Sequence, residues 1–169
     1  MEQSGTINQR AVLYQRCSMS TNWAREFPKK NWLLLVITDG RDKSVLEEIT
    51  AKAIENDVCY ICCTGDQAEQ LFDIIEKEIE FREEDEGDHY LPEHFITYAY
   101  QSDLKAAFRS VFFTATNEDV SIETVVVLDA SSIGAQSELD NFLLAYNGSF
   151  GARCREILRI IRSAFSTKT

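Results

Sequence analysis

The stretch NWLLLVITDGRDKSVLEEITAKAIENDVCYICCTGD (31–66) decides the fold. It opens on an apolar run, WLLLVIT (32–38), and closes on a second, VCYICCT (58–64). The first run does not alternate apolar with polar residues, as expected of a strand covered on both faces. Between the two, SVLEEITAKAIE (44–55) places Leu46, Ile49 and Ala53 on one helical face, with Ser44 and Glu47 at capping-box spacing. A strand, a short helix and a second strand in this order make a crossover unit that joins two parallel strands.

The unit repeats outward along the chain. HFITYAY (94–100) and TVVVLD (124–129) are two further strands, and each apolar run is followed by a helix. Asp66 and Glu69 flank the start of one whose buried face carries Ala68, Leu71, Phe72, Ile75 and Ile79. Ser102 is the expected cap of a helix burying Leu104, Ala107, Phe108, Val111 and Phe112. Ser137 is the expected cap of one burying Leu139, Phe142, Leu143 and Tyr146, and ARCREILRIIRSAF (152–165) reads as a last helix. Four strand–helix repeats predict a three-layer, doubly wound, Rossmann-like α/β domain with a mainly parallel sheet of about four strands and helices on both faces. Its strand order is 3-2-1-4 or 2-1-3-4. Residues 31–169 are expected to form this single domain. Residues 1–30 read as an N-terminal arm or short helix packed on it, and REEDEGDHYLP (82–92) as a charged loop.

Cys59 and Cys62 have C-x-x-C spacing, with Cys63 adjacent. In a strand, Cys59, Ile61 and Cys63 point one way and Tyr60 and Cys62 the other. Cys59 and Cys62 are then roughly 10 Å apart along the strand, beyond the approximately 7 Å limit between Cα atoms for a disulfide. A redox pair would sit at a helix N-terminus, and a zinc site would need a second ligand pair that His89 and His94 do not supply. These cysteines read as small core residues, and Cys17 and Cys154 read the same way.

The 169-residue chain carries a net charge of −11. Residues 42–94 hold 17 acidic and 4 basic side chains, whereas residues 1–30 come to +3 and 151–169 to +4. An acidic middle argues against nucleic-acid binding. No apolar run reaches the roughly 20 residues that span a bilayer, and the N-terminus lacks a signal-peptide pattern. With five cysteines, these features predict a cytoplasmic setting.

Ligands of open parallel sheets bind beyond the carboxyl ends of the strands. Here those ends read TDGRD (38–42), TGDQ (64–67), YQSD (100–103) and DASS (129–132). With order 3-2-1-4, Asp39 and Asp129 end adjacent strands. They could hold Mg²⁺, the one cofactor the sequence leaves room for, with Thr38 or Ser131 positioning the ion or a phosphate and Asp42 as a base. Asp, Ser and Thr at such junctions equally serve as helix caps. There is no G-x-G-x-x-G or P-loop motif, and a Ser/His/Asp triad would have to use His89 or His94.

LLLVITDGRD and VVVLDASSIGAQ are similar to strand ends of von Willebrand A-type metal-binding domains. They occur in reverse order, with Ile133 where a serine belongs, so the likeness reads as convergence. NWLLLVITDG, NDVCYICCTGDQAEQLFDIIEKEI and YLPEHFITYAY together resemble a family of small bacterial proteins of unassigned function. That resemblance covers roughly residues 31–130. It implies a Rossmann-like fold and a bacterial cytoplasmic setting, and it brings no catalytic residues.

The sequence therefore leans away from an enzyme, towards a binding or regulatory module that acts through protein–protein contacts. The acidic run EKEIEFREEDEGD (76–88) suits a basic partner, or self-association through the basic Arg153, Arg155, Arg159 and Arg162. The alternative is a Mg²⁺-dependent phosphoester hydrolase or nucleotide-binding domain at the Asp39/Asp129 crevice.

Overall fold

A computed structural model describes residues 1–18, 22–84 and 90–146. The chain forms an α/β fold built on a six-stranded, mostly parallel sheet. Its strands are β1 (Glu2–Ile7), β2 (Arg10–Arg16), β3 (Trp32–Thr38), β4 (Val58–Gly65), β5 (Thr97–Gln101) and β6 (Thr124–Ala130). The helices among the described residues are α1 (Lys43–Ile54), α2 (Ala68–Glu84), α3 (Leu104–Arg109) and α4 (136–146), with a 3₁₀ turn at Trp23–Glu26. No helix among the described residues is long and apolar enough to cross a membrane.

The sheet order is β1-β2-β6-β3-β4-β5, parallel throughout except for the β1–β2 hairpin. The four strands anticipated from the sequence thus lie in the order third, second, first, fourth. All seven residues of β3 are buried. Its alternate side chains divide between two cores. Trp32, Leu34 and Val36 meet α1 and α2, while Leu33, Leu35 and Ile37 meet α3 and α4. Each fully buried Leu contributes about 1.5–3 kcal/mol relative to exposure, so this strand cannot sit at an edge or face solvent on either side.

Two strands exceed the expected four, and both come from the first 30 residues. Where the sequence suggested an arm, residues 2–16 form a hairpin inside the sheet. Asn8 and Gln9 both adopt positive φ (49° and 66°) between the paired Ile7 and Arg10, which is the two-residue turn that suits strand twist. The turn lacks the glycine that usually signals it. The hairpin is fastened to α3, whose end widens into a π turn at Ser110–Thr114. Arg10 donates to the carbonyls of Val111 (2.5 Å) and Ala115 (2.7 Å), and the Asn8 amide donates to that of Phe112 (3.1 Å). These carbonyls at the helix end would otherwise lack partners.

Several local expectations shift. Asp42, not Ser44, precedes α1 as its cap residue. Asp103, not Ser102, caps α3, accepting from the Ala106 N–H at 2.8 Å. Ser137 lies inside α4 and bonds Glu138 instead. The third expected strand begins at Thr97 rather than 94 because residues 90–96 form an irregular approach to β5. The C-terminal helix expected at 152–165 and the 85–89 part of the charged loop lie outside the described residues.

Gly65 closes β4 beside Thr38 with φ +101°, and a Cβ there would stand 2.0 Å from the Thr38 carbonyl oxygen. Gly40 also has positive φ (61°), but its Cβ would meet open space. Gly65→Ala should therefore combine a steric clash with backbone strain and cost roughly 2–5 kcal/mol. Gly40→Ala should show the strain alone, about 1–2 kcal/mol. Urea unfolding of the two variants side by side checks the difference.

Candidate functional site

The register places the sequence's candidate aspartates at different heights. Asp129 pairs with Ile37 and Ala130 with Thr38, so Asp129 is two residues, roughly 6–7 Å, deeper in the sheet than Asp39. Asp129 is fully buried. One carboxylate oxygen accepts from the Ser131 N–H (2.9 Å) and the Ser131 hydroxyl (2.6 Å). The other accepts from the Tyr14 hydroxyl (2.5 Å) and the Ala135 N–H (2.6 Å). A carboxylate offers about four lone-pair sites, and all four are taken. Burial pushes its pKa up, but the hydrogen bonds from Ser131, Tyr14 and Ala135 outweigh burial and hold it below the usual carboxylate value. Tyr14 titrates well above an ordinary tyrosine, first through burial and then through its bond to Asp129.

The remaining candidates are likewise engaged. Asp39 accepts from the Ser132 hydroxyl at 2.5 Å, tying the end of β3 to the loop after β6. Thr38 is buried and donates to the Thr64 carbonyl at 3.2 Å. Asp42 is exposed at the start of α1. The structure brings Asp129 and Ser131 together, and Asp39 and Ser132, but it does not gather the five into one ligand set. Among the described residues, no group of three or more His, Cys, Asp or Glu could hold a metal ion.

Two arginines that the sequence reading left out lace this edge together. Arg41 donates to the carbonyls of Ala130 (2.5 Å) and Cys17 (3.4 Å), and its own backbone exchanges two hydrogen bonds with the Gln67 amide. Arg16 donates to the carbonyls of Ser131 (3.3 Å) and Ser132 (2.9 Å). Arg16 and Tyr14 carry no site signal in the sequence because the short strand that bears them, β2, lacks a strong apolar run. A cleft of about 590 Å³ opens beside them, lined by Glu2, Tyr14, Arg16, Gly134, Gln136 and Ser137.

The cysteines of β4 are buried and free. Cys59 departs from the expected alternation. The β3–β4 pairing slips between Trp32/Val58 and Leu33/Tyr60, leaving Cys59 as a bulge residue. It therefore joins Tyr60 and Cys62 on the α3–α4 side, while Ile61 and Cys63 face α1 and α2. Burial pushes the Cys59 thiol up to about 11 and the Cys62 thiol to about 12, and raises that of Cys63 well above its ordinary value. None of the three is a thiolate at neutral pH.

A second recess lies on the opposite side of the sheet. It has a volume of about 310 Å³ between α2 and the chain entering β5. Glu76, Glu80 and Glu83 line it from α2, over apolar walls that include Leu91, Phe95 and Tyr98. Among the described residues no Lys or Arg lines it, though His94 does. The glutamates act together on Tyr98, whose hydroxyl is raised by burial and then by all three charges. Phe95 is 71% exposed and Tyr100 46%. Tyr98 and Tyr100 flank Phe72 of α2 at ring separations of 5.0 and 5.5 Å, so the aromatic strip continues along β5.

Tyr14→Phe removes one donor to a buried charge and should lower stability by about 1.5–3 kcal/mol. Asp129→Asn should cost more, since an amide oxygen cannot serve donors on both sides of the carboxylate. Because the folded pKa of Asp129 lies below the unfolded one, its contribution is present above about pH 4 and is lost as pH falls through the folded value. Acid unfolding of Asp129→Asn should accordingly be flatter below that pH than in the parent. For the cysteines, a chain with Cys154→Ser (Cys154 lies outside the described residues) should react with a disulfide reagent no faster than it unfolds.

No curated protein matches the chain. A family model described as a domain of unknown function matches residues 12–145, from within β2 into α4. The chain belongs to that family, the domain of unknown function DUF7684.

Proposed function

We propose that the chain is a non-catalytic binding module that acts through protein contacts on its α2–β5 side. The observation that carries this reading is the recess at Glu76, Glu80 and Glu83, where three carboxylates share an apolar surface with no Lys or Arg among the described residues lining it, and the one histidine there, His94, lies 3.1 Å from the Val58 carbonyl. Like charges brought this close destabilise the free protein. A partner supplying cations would relieve that repulsion and cover Phe95 and Tyr98 together. The carboxyl edge gives less support. The carboxylates that would hold an ion there already accept hydrogen bonds from Ser131, Ser132, Tyr14 and Ala135. A Mg²⁺-dependent phosphoester hydrolase or nucleotide-binding domain would have to displace these bonds in a buried setting, at about 1–3 kcal/mol for each donor left unpaired.

The order β5-β4-β3-β6, with helices on both faces, supports a Rossmann-like description of the parallel part of the sheet. On this reading the domain keeps the architecture but fills the usual ligand edge with its own side chains, leaving recognition to a lateral face.

Site-specific photo-crosslinking in the cells that make the protein tests the location. A photoreactive residue at Phe95 or Tyr100 should give discrete adducts with another protein, and one at Ser44 on α1 should not. Stable, full-length protein giving no adduct from either Phe95 or Tyr100 would overturn the reading.

A further inference from the structure

We infer that the α2–β5 side takes an extended, basic segment of another protein, added as a strand along the outer edge of β5. The inference rests on the protein-binding reading above and specifies the partner's chemistry. β5 is the last strand of the sheet, and among the described residues no strand pairs with its outer side. An unpaired edge presents a row of backbone donors and acceptors that a further strand can use. Edges of this kind are usually blunted by lysine, proline or a bulge. The sequence of β5 is TYAYQ, with none of these, and its pairing with β4 is regular over Thr97–Gln101.

The acidic recess is contiguous with that edge, because Tyr98 of β5 lines it. Side chains of an added strand would alternate between the two faces of the sheet. Those on the α2 face would reach Glu76, Glu80 and Glu83 across Tyr98, which calls for Lys or Arg at every second position. Long basic side chains also suit the aromatic strip, since their stems cover apolar surface while the charge stays in water, and a cation over Tyr98 or Tyr100 gains from the ring face. A second copy of this chain is the poorer occupant, because its own β5 would bring the same glutamates to face these. The charge pattern therefore selects a basic heterologous strand.

The probe is a capped octapeptide of alternating lysine and valine, titrated against the full chain by fluorescence anisotropy with amide hydrogen exchange in parallel. It should bind with an affinity that falls as salt is raised and should slow exchange at Thr97–Gln101. Replacing Glu76, Glu80 and Glu83 together by Gln should weaken binding roughly tenfold or more. The same change at Glu47 and Glu48 on α1 and at Glu55, which follows its last turn, should leave it intact, and N-methylation of alternate peptide residues should abolish it.

Equal binding of the N-methylated peptide, or no effect of the three α2 substitutions, would overturn the inference. So would tighter binding of a peptide of the same composition ordered as an amphipathic helix. In that last case the strand mode fails while the protein-binding reading stands, provided the crosslinks at Phe95 and Tyr100 are present. Loss of those crosslinks sinks the broader reading. Self-association of the native chain that disappears with the α2 substitutions would assign the edge to a second copy and also overturn the inference.

Discussion

Two-sided burial of β3 is the constraint on which the other elements depend. A strand whose odd and even side chains are both large and apolar must have a layer of helices on each side and a strand on each flank. β4 and β6 supply the flanks, α1 and α2 one layer, α3 and α4 the other. Once β3 is central, the crossovers on one face run outward to β5, and the chain must pass to the other face to deliver β6. The acidic recess and the free edge of β5 are products of that traffic, since β5 is where the first face ends.

Asp129 shows how completely a buried carboxylate can be satisfied by its own fold. Its four hydrogen bonds join β2, β6 and the loop that leads into α4. A buried carboxylate is costly unless it is satisfied, and here the loop between Ser131 and Ala135 is wrapped so that it is. The two arginines complete the same work at the surface of this edge by binding carbonyls rather than carboxylates.

Much of the architecture was legible because it rests on strong, local patterns. The apolar runs of β3, β4 and β6 and the helical repeats on α1 to α4 are each readable without knowledge of the rest. The hairpin was not, because its signal is distributed. Val12 and Tyr14 share a face over only a few positions, with the apolar Leu13 between them masking the alternation; the Asn8–Gln9 turn lacks glycine, and the partner strand is more than a hundred residues away. Cys59 was assigned to the wrong face for a related reason, since a bulge depends on the neighbouring strand's register and leaves no mark in the bulged sequence. At the carboxyl edge, residue types could be read but not their partners. Asp39 and Asp129 were recognisable as strand-end acids, whereas the donors that occupy them come from β2 and from the loop after β6.

The pairing of β2 with β6 also fixes a timetable. Residues 11–16 lie near the start of the chain, and their parallel partners are 124–129. At about 5–20 residues per second of synthesis, the hairpin leaves the ribosome roughly 5–20 s before the strand that shelters it exists. During that interval Val12 and Tyr14 have no core to enter, while β3, α1 and β4 can already assemble as a local unit. The seating of residues 11–16 must then await β6, and the Arg10 bonds to the end of α3 likewise wait until residues 111–115 have been made.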